Sequence, residues 1–530
     1  MKPSAIFAQS TLLHLSSGSF SSFESQCADF SPSISNATVA VQEYIARGTN
    51  VTLIDNDKSC NRRFQIVDAN FCRLALHVQT SERSSIVVEV WMPETWEAGR
   101  VLATGNGGVD GCIQYENLAY GNSHGFVTVG ANNGHNGTSG AAFLNNSEVV
   151  IDFAHRSLHT SITLAKELST QLYNQKYSKA YYIGCSLGGR QGIDAADRYP
   201  EDFDGVIAGS PASDFNNLYA WRAGFYTITG ANTSSDFITS QKWIAIHDEV
   251  LRQCDRIDGV QDGILEDPSL CDFRPEVLLC DGATQNTTKC LTVSQLEIVK
   301  KIYSPLVDDN GDMLYPGMQP GSELRANTGL YAGNPWQPSV DWYRYVLLSD
   351  PSWDPATFNT AMAVLADTIN PADIRTFPTS LAPFKAKEGK LIMYHGLQDQ
   401  QITSFQSTRF YEHLARGMNA TSSSLDEFYR FFKISGMFHC NSGPGAWTFG
   451  QGGGASAAGV GFERESNVLR AMVEWVEGGV PPETITGTKF VDDDADKGIF
   501  MEKKHCRYPL TNVYLGGNAG EAAAWECQMV

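Results

Sequence analysis

Ala180-Tyr181-Tyr182-Ile183-Gly184-Cys185-Ser186-Leu187-Gly188 is a short apolar run closed by a serine between two glycines. The run reads as a buried strand. Gly-x-Ser-x-Gly directly after it is the sharp strand-to-helix turn that lifts a serine hydroxyl clear of a sheet. Upstream, Leu158, Ile162, Leu164, Ala165, Leu168 and Leu172 recur at helical spacing between Ala154 and Tyr177. Still earlier, apolar runs at 74–78, 86–91, 101–104 and 126–129 are bounded by Gly, Asn or Ser, as the strands of one sheet are. Downstream, 205–209 and 390–396 read as further strands, the latter followed by a helix over 403–416. This alternation predicts an α/β fold, a mostly parallel sheet with helices on both faces.

From about Asp214 to Glu388 the rhythm stops, and Trp, Tyr, Pro, Gly and four cysteines accumulate. The segment reads as an insertion. In an open parallel sheet the ligand crevice lies at the carboxyl ends of the strands, so an insertion leaving there is expected to roof the site as a lid. The organisation predicted is a catalytic domain over 27–213 and 389–530, a lid over 214–388, and a degraded signal peptide over 1–26.

The chain has 530 residues, 42% of them hydrophobic, with a formal charge of −20. That balance, with no basic run longer than Lys503-Lys504, excludes a nucleic-acid surface. No apolar stretch reaches the eighteen or so residues of a membrane span. Twelve cysteines without a Cys-x-x-Cys pair favour disulfides in an oxidising compartment over zinc. Sequons at Asn36, Asn50, Asn136, Asn145, Asn232, Asn286 and Asn419 agree with a secreted, glycosylated protein.

A serine becomes nucleophilic when a base takes its proton and a carboxylate orients that base. After a Gly-x-Ser-x-Gly turn the acid and then the histidine follow on loops after late strands. Asp399 lies three residues past Gly396, and His439 follows the strand 428–434, so the order Ser186, Asp399, His439 is complete; Asp426 and Glu427 are the fallback acids. Donors for the oxyanion are expected from the Leu187 N–H and from Gly107 or Gly108, in the glycine-rich turn after 101–104. Cys185 precedes Ser186 and Cys440 follows His439. A bond between them would hold their Cα atoms within about 4.4–6.8 Å and draw serine and histidine together, and a bonded cysteine cannot itself attack.

Cys254-Asp255-Arg256-Ile257-Asp258-Gly259-Val260-Gln261-Asp262-Gly263-Ile264 sets three carboxylates in a tight loop, which suits Ca²⁺. The donors expected are Asp255, Asp258 and Asp262 with the carbonyls of Val260 and Ile264. Cys271 is placed to clip the loop against Cys254. His155 and His159, four apart on a helix, lack a third ligand and read as packing or surface residues, and His135, His247 and His395 carry no motif.

With Cys185-Ser186, Asp399 and His439-Cys440 in place, the chain resembles the fungal tannase and feruloyl esterase family over nearly its whole length. The resemblance implies an α/β-hydrolase core with a large lid, Ca²⁺ in the lid loop, and a bond between Cys185 and Cys440. It further implies the pairs Cys27 with Cys72, Cys60 with Cys112, Cys254 with Cys271, Cys280 with Cys290, and Cys506 with Cys527. The activity implied is hydrolysis of phenolic acid esters carried on cell-wall sugars or tannins, with a feruloyl substrate ahead of a galloyl one. A rival reading is a non-catalytic, calcium-dependent carbohydrate-binding protein.

Overall fold

The computed structural model describes residues 22–53, 56–281 and 288–529. Residues 1–21, most of the segment read as a leader, and the sequon at Asn286 lie outside them. Nine strands build one sheet: β1 Ala37–Ile45, β2 Phe71–Ser81, β3 Ser84–Pro93, β4 Arg100–Thr104, β5 Val127–Ala131, β6 Lys179–Cys185, β7 Gly205–Gly209, β8 Lys390–Gly396 and β9 Tyr429–Ile434. Their order across the sheet is β1-β2-β3-β5-β4-β6-β7-β8-β9. The first three are antiparallel, and β5 through β9 run parallel. Because β5 and β6 flank β4 on opposite sides, the winding reverses at β4, and a crevice opens over the carboxyl ends of β4 and β6. Thr104 pairs with Ile183 there, so the glycine-rich turn and the serine turn leave the sheet side by side.

Both sheet faces are covered, as the near-continuous apolar strands require. Ala180 and Tyr182 of β6 face a core shared with Ile162, Ala165 and Leu168 of helix α1 (Ser157–Tyr173). Tyr181 and Ile183 face the opposite core, against the C-terminal helix. The remaining helices used below are α2 Leu187–Arg198, α3 Phe215–Thr229, α4 Ser240–Cys254, α5 Ser404–Gly417 and α6 Val468–Gly478, the C-terminal one. Each fully buried Leu, Ile or Phe in these layers contributes about 1.5–3 kcal/mol.

Residues 210–389 leave the sheet between β7 and β8, and the bounds read from the sequence fall just inside this gap. The segment has its own core, with Phe215, Trp221, Trp243, Tyr315 and Trp342, and the same cluster takes in Val109 and Leu187. The insertion is thus packed on the two turns that flank the crevice. After α6 come two hairpins, Thr484–Phe490 with Ile499–Cys506 and Thr511–Tyr514 with Trp525–Gln528.

All twelve cysteines are bonded, in the pairs that the resemblance implies. The six described sequon asparagines are all exposed. Among the described residues no helix is long and apolar enough to cross a membrane.

Candidate active site

Ser186 sits between β6 and α2 with φ 65° and ψ −120°, a conformation that costs a non-glycine residue about 1–3 kcal/mol. The surroundings hold it there. Its N–H donates to the Gly209 carbonyl at 2.9 Å, and its carbonyl accepts from Ala212 at 2.9 Å and Arg190 at 3.1 Å. Close approach requires glycine at two places here: a Cβ on Gly184 would stand 2.8 Å from the Gly188 carbonyl carbon, and one on Gly105, in the turn after β4, would stand 2.6 Å from the Gly188 Cα.

Asp399 is fully buried in the turn after β8, and His439 lies in the loop after β9. The His439 Nδ1 donates to Asp399 Oδ2 at 2.6 Å. The other carboxylate oxygen accepts from the N–H groups of Gln401 at 2.7 Å and Ile402 at 2.9 Å. Burial alone would raise this carboxyl. The charge of His439 and hydrogen bonds from His395 and His439 outweigh it and hold Asp399 well below the usual carboxylate range. The fallback acids are engaged elsewhere, Asp426 with Arg507 and Glu427 with Lys385.

His395, which no motif marked, lies fully buried against the same carboxylate. Its Nε2 is 3.1 Å from Asp399 Oδ2 and 3.1 Å from the Ile402 carbonyl, and its Nδ1 is 2.7 Å from Ser407 Oγ on α5. Both neighbours of Nε2 are acceptors, so Nε2 carries the hydrogen. The available signal was positional: His395 is the penultimate residue of β8, four residues before Asp399.

Cys185 and Cys440 are bonded across 255 residues, with Cα atoms 5.9 Å apart. Ser186 and His439 line one cavity of about 360 Å³, together with Gly107 and Gly108. Leu187 opens α2 beside it. The Gly107 amide faces the carboxylate of Asp110, a recessed group that burial raises to about 7 against the pull of the Cys112 and Gly107 amides. The Gly108 carbonyl is held at 3.0 Å by the Tyr219 hydroxyl of α3.

Every described residue lining this cavity belongs to the core; none comes from 210–389. The insertion, expected from the sequence as a roof, touches the turns that carry the site. Tyr219 holds the Gly108 turn, Gln319 Nε2 donates to the Asp399 carbonyl at 2.6 Å, and Arg222 Nε donates to the Gln401 carbonyl at 2.9 Å.

In the acidic loop, each carboxylate has one oxygen fixed by a backbone amide: Asp255 by Gly263 at 3.0 Å, Asp258 by Val260 at 2.9 Å, and Asp262 by Ile264 at 3.1 Å. The second Asp258 oxygen is buried without a partner. Burial, with Glu266 and Asp262 nearby, lifts the Asp258 carboxyl to about 6, and Asp262 is raised as well, chiefly by burial. Cys254–Cys271 clips the loop. Hard oxygen donors and a buried, unpartnered carboxylate oxygen fit Ca²⁺ chemically. Among the described residues no three acidic, His or Cys side chains stand close enough together to hold one ion. His155 and His159 bind the Tyr199 hydroxyl and Asp202 respectively.

A sheet wound in this order, with a serine turn at the tip of a central strand, defines an α/β hydrolase. The tannase and feruloyl esterase family model matches residues 69–343 and 348–528. A probable feruloyl esterase B-2 of Aspergillus flavus is 52% identical over 92% of this chain and 94% of its own length. A probable feruloyl esterase B of Aspergillus clavatus is 47% identical over 98% of both chains. The crystal structure of feruloyl esterase B from Aspergillus oryzae superposes with a TM-score of 0.92 at 44% identity, over 96% of this chain and 100% of that one. Tannin acyl hydrolase from Aspergillus niger shares the fold, with a TM-score of 0.74 at 20% identity, over 96% of this chain and 94% of that one. The chain belongs to the tannase and feruloyl esterase family and is a carboxylic ester hydrolase.

Proposed function

We propose that the chain is a secreted feruloyl esterase, a glycoprotein that hydrolyses hydroxycinnamoyl esters through Ser186, His439 and Asp399. One observation carries the catalytic assignment: His439 donates to buried Asp399 at 2.6 Å, while the Cys185–Cys440 bond ties the loop bearing His439 to the turn bearing Ser186. The feruloyl group is supported by the printed names of relatives 47–52% identical to this chain.

Ser186 Oγ attacks the ester carbon as His439 Nε2 takes its proton, and the carbonyl oxygen becomes an oxyanion. The Leu187 N–H is one donor to that oxyanion. Gly108 is favoured over Gly107 as the second, because the Gly107 amide already faces Asp110. Each such donor lowers the barrier by about 2.7–4 kcal/mol. Collapse returns the proton from His439 to the departing alkoxide and leaves an acyl-serine. Water then gives its proton to His439, attacks the acyl carbon, and frees the acid and Ser186. Asp399, ionised throughout, keeps the His439 Nδ1 protonated and stabilises the imidazolium.

The insertion is read as a lid domain that buttresses the acid loop and the oxyanion turn. Asp255, Asp258 and Asp262, with the Val260 and Ile264 carbonyls, would hold Ca²⁺ once their side chains, each now turned onto a backbone amide, gathered round it, and the ion would neutralise the acidic loop and brace that domain. Six bonded cysteine pairs and exposed sequon asparagines support export and glycosylation.

The test is a hydrolysis panel of methyl ferulate, methyl caffeate, methyl gallate and a simple alkyl ester, with Ser186→Ala as control. Ferulate and caffeate turnover abolished in the variant is the expected result. Preference for gallate would move the enzyme to the tannase side of the family. Turnover that survives in the variant would overturn the serine mechanism.

A further inference from the structure

The glycine-rich turn after β4 is built round a carboxylate that takes no direct part in the acyl transfer. Asp110 lies two residues past Gly108, and both its oxygens meet amides of its own turn. Oδ1 accepts from the Cys112 N–H at 3.2 Å. Oδ2 lies on the side of Gly107, 3.4 Å from where a Cβ there would stand, and the Gly107 amide is turned onto the carboxylate. The Asp110 N–H donates back to the Gly107 carbonyl at 3.0 Å, so residues 107–110 close on themselves through backbone and side chain together. Beyond this ring the Asp110 carbonyl accepts from Asn133 Nδ2 at 3.2 Å, and the Cys60–Cys112 bond anchors the end of the turn.

This closure bears on the Gly108 N–H. In a planar trans peptide the C=O and N–H point in opposite directions. With the Gly107 carbonyl drawn onto the Asp110 amide, the Gly108 N–H of the same peptide is aimed away from Asp110. The next carbonyl, that of Gly108, is drawn to the Tyr219 hydroxyl at 3.0 Å, and Gly108 itself takes the left-handed φ of 50° that joins the two. Four ionisable groups face or pack against the carboxylate. Arg62 and Glu116, paired at 2.6 Å, act on it with opposite sign, and Tyr219 faces it from α3. His135 packs under the same turn, with Nε2 2.9 Å from the Val109 carbonyl.

We propose that Asp110 is a positioning residue for acyl transfer: its ionised carboxylate, by accepting from Gly107 and Cys112 at once, keeps the Gly108 N–H aimed at the oxyanion. Two amides need two acceptor oxygens. A side-chain amide or a protonated acid in this place keeps one acceptor and sets a donor against the other N–H. The charge itself repels an oxyanion, so what the carboxylate contributes is geometry. Burial raises this carboxyl to about 7, so it takes up a proton, and the turn loses an acceptor, as pH falls through that value. The inference rests on the reading of Ser186 as nucleophile with Gly108 as the second oxyanion donor.

The test compares kcat and KM of the wild type and Asp110→Asn on the ester turned over fastest, with Ser186→Ala as the blank. Asp110→Asn is expected to lower kcat about ten- to hundredfold and to leave KM within about twofold, because a misaimed oxyanion donor is felt in the transition state and hardly in the ground state. The pH profile separates aiming from mere support of the fold. Below pH 7 the wild-type kcat/KM is expected to fall by more than about tenfold per pH unit, since Asp110 must be ionised and His439 neutral, and that of the variant by no more than about tenfold. Unchanged kcat, a kcat raised by removal of the charge, or equal slopes in the two proteins would overturn the role. Should a melting curve show the variant misfolded, Asp110→Ser takes its place, and a wild-type slope of about tenfold per unit or less overturns the proposal without any variant. Ester turnover that survives in Ser186→Ala would instead fault the serine mechanism beneath the inference.

Discussion

Two imidazoles share one oxygen of Asp399, and only one of them reaches the cavity. His395, sealed between β8 and α5, donates to the carboxylate without facing substrate, so its part is to position and to acidify Asp399. A hydrogen bond to a charged group is worth about 1.5–3 kcal/mol. His395→Gln is expected to lower kcat ten- to hundredfold with KM little changed, measured on whichever ester the enzyme turns over best. The pH sign follows from the lowered Asp399 carboxyl. Its contribution to stability is present above the unfolded-state value, near 3.8, and is lost as pH falls through the lower folded value. In the variant the folded value moves back up, so acid unfolding should shift to higher pH; an unchanged midpoint in acid titrations of the two proteins would count against this role. At this scale the sequence was most legible where chemistry demands a pattern: Ser186, Asp399 and His439 were placed by motif and order. It was least legible where only packing decides. His395 and Gln319 bond Asp399, and Arg222 bonds the neighbouring Gln401 carbonyl, from parts of the sequence far from one another, and no local pattern encodes a contact across the fold.

The strands that could be read were those buried on both faces. β6, β7 and β8 are continuous apolar runs, and each was found within two residues of its ends. β1 was missed because it is an edge strand largely open to solvent, so its composition carries little apolar signal. The two C-terminal hairpins escaped because strands such as Thr484–Phe490 and Thr511–Tyr514 carry few apolar residues. The insertion was recognised as an interruption, yet its packing on the serine and glycine turns depends on tertiary contacts such as Tyr219 with Gly108. Two element-level predictions follow from close approach and covalent bonding. Gly105→Ala puts a Cβ 2.3 Å from the Tyr182 hydroxyl oxygen and against α2, and is expected to destabilise the fold by about 1–3 kcal/mol, read from denaturant melts. Joint Cys185→Ala and Cys440→Ala substitution removes a bond whose loop-closure contribution is at most about 5 kcal/mol. Turnover should fall before the fold is lost, because Ser186 and Cys440 both hold left-handed backbone conformations beside that bond. Unchanged turnover in the double variant would remove the bond from the catalytic account.

For the whole molecule, the acidic loop is the place where stability should answer to solution conditions. An ion bound only by the folded state, at a hundredfold excess over its Kd, adds about 2.7 kcal/mol. Chelation with EGTA is expected to lower Tm by a few degrees and to be reversed by added Ca²⁺ in preference to Mg²⁺. Asp258→Asn should remove that response while leaving a folded protein, and differential scanning calorimetry checks both points. The Cys185–Cys440 bond has a further consequence at this scale. It closes a covalent ring around the entire insertion, so one protease cut anywhere between Ser186 and His439 leaves the chain in a single piece. Nicked enzyme should migrate as one band without reductant and as two with it, and should keep its turnover until the bond is reduced. The bond beside the active site thus doubles as protection against being cut apart.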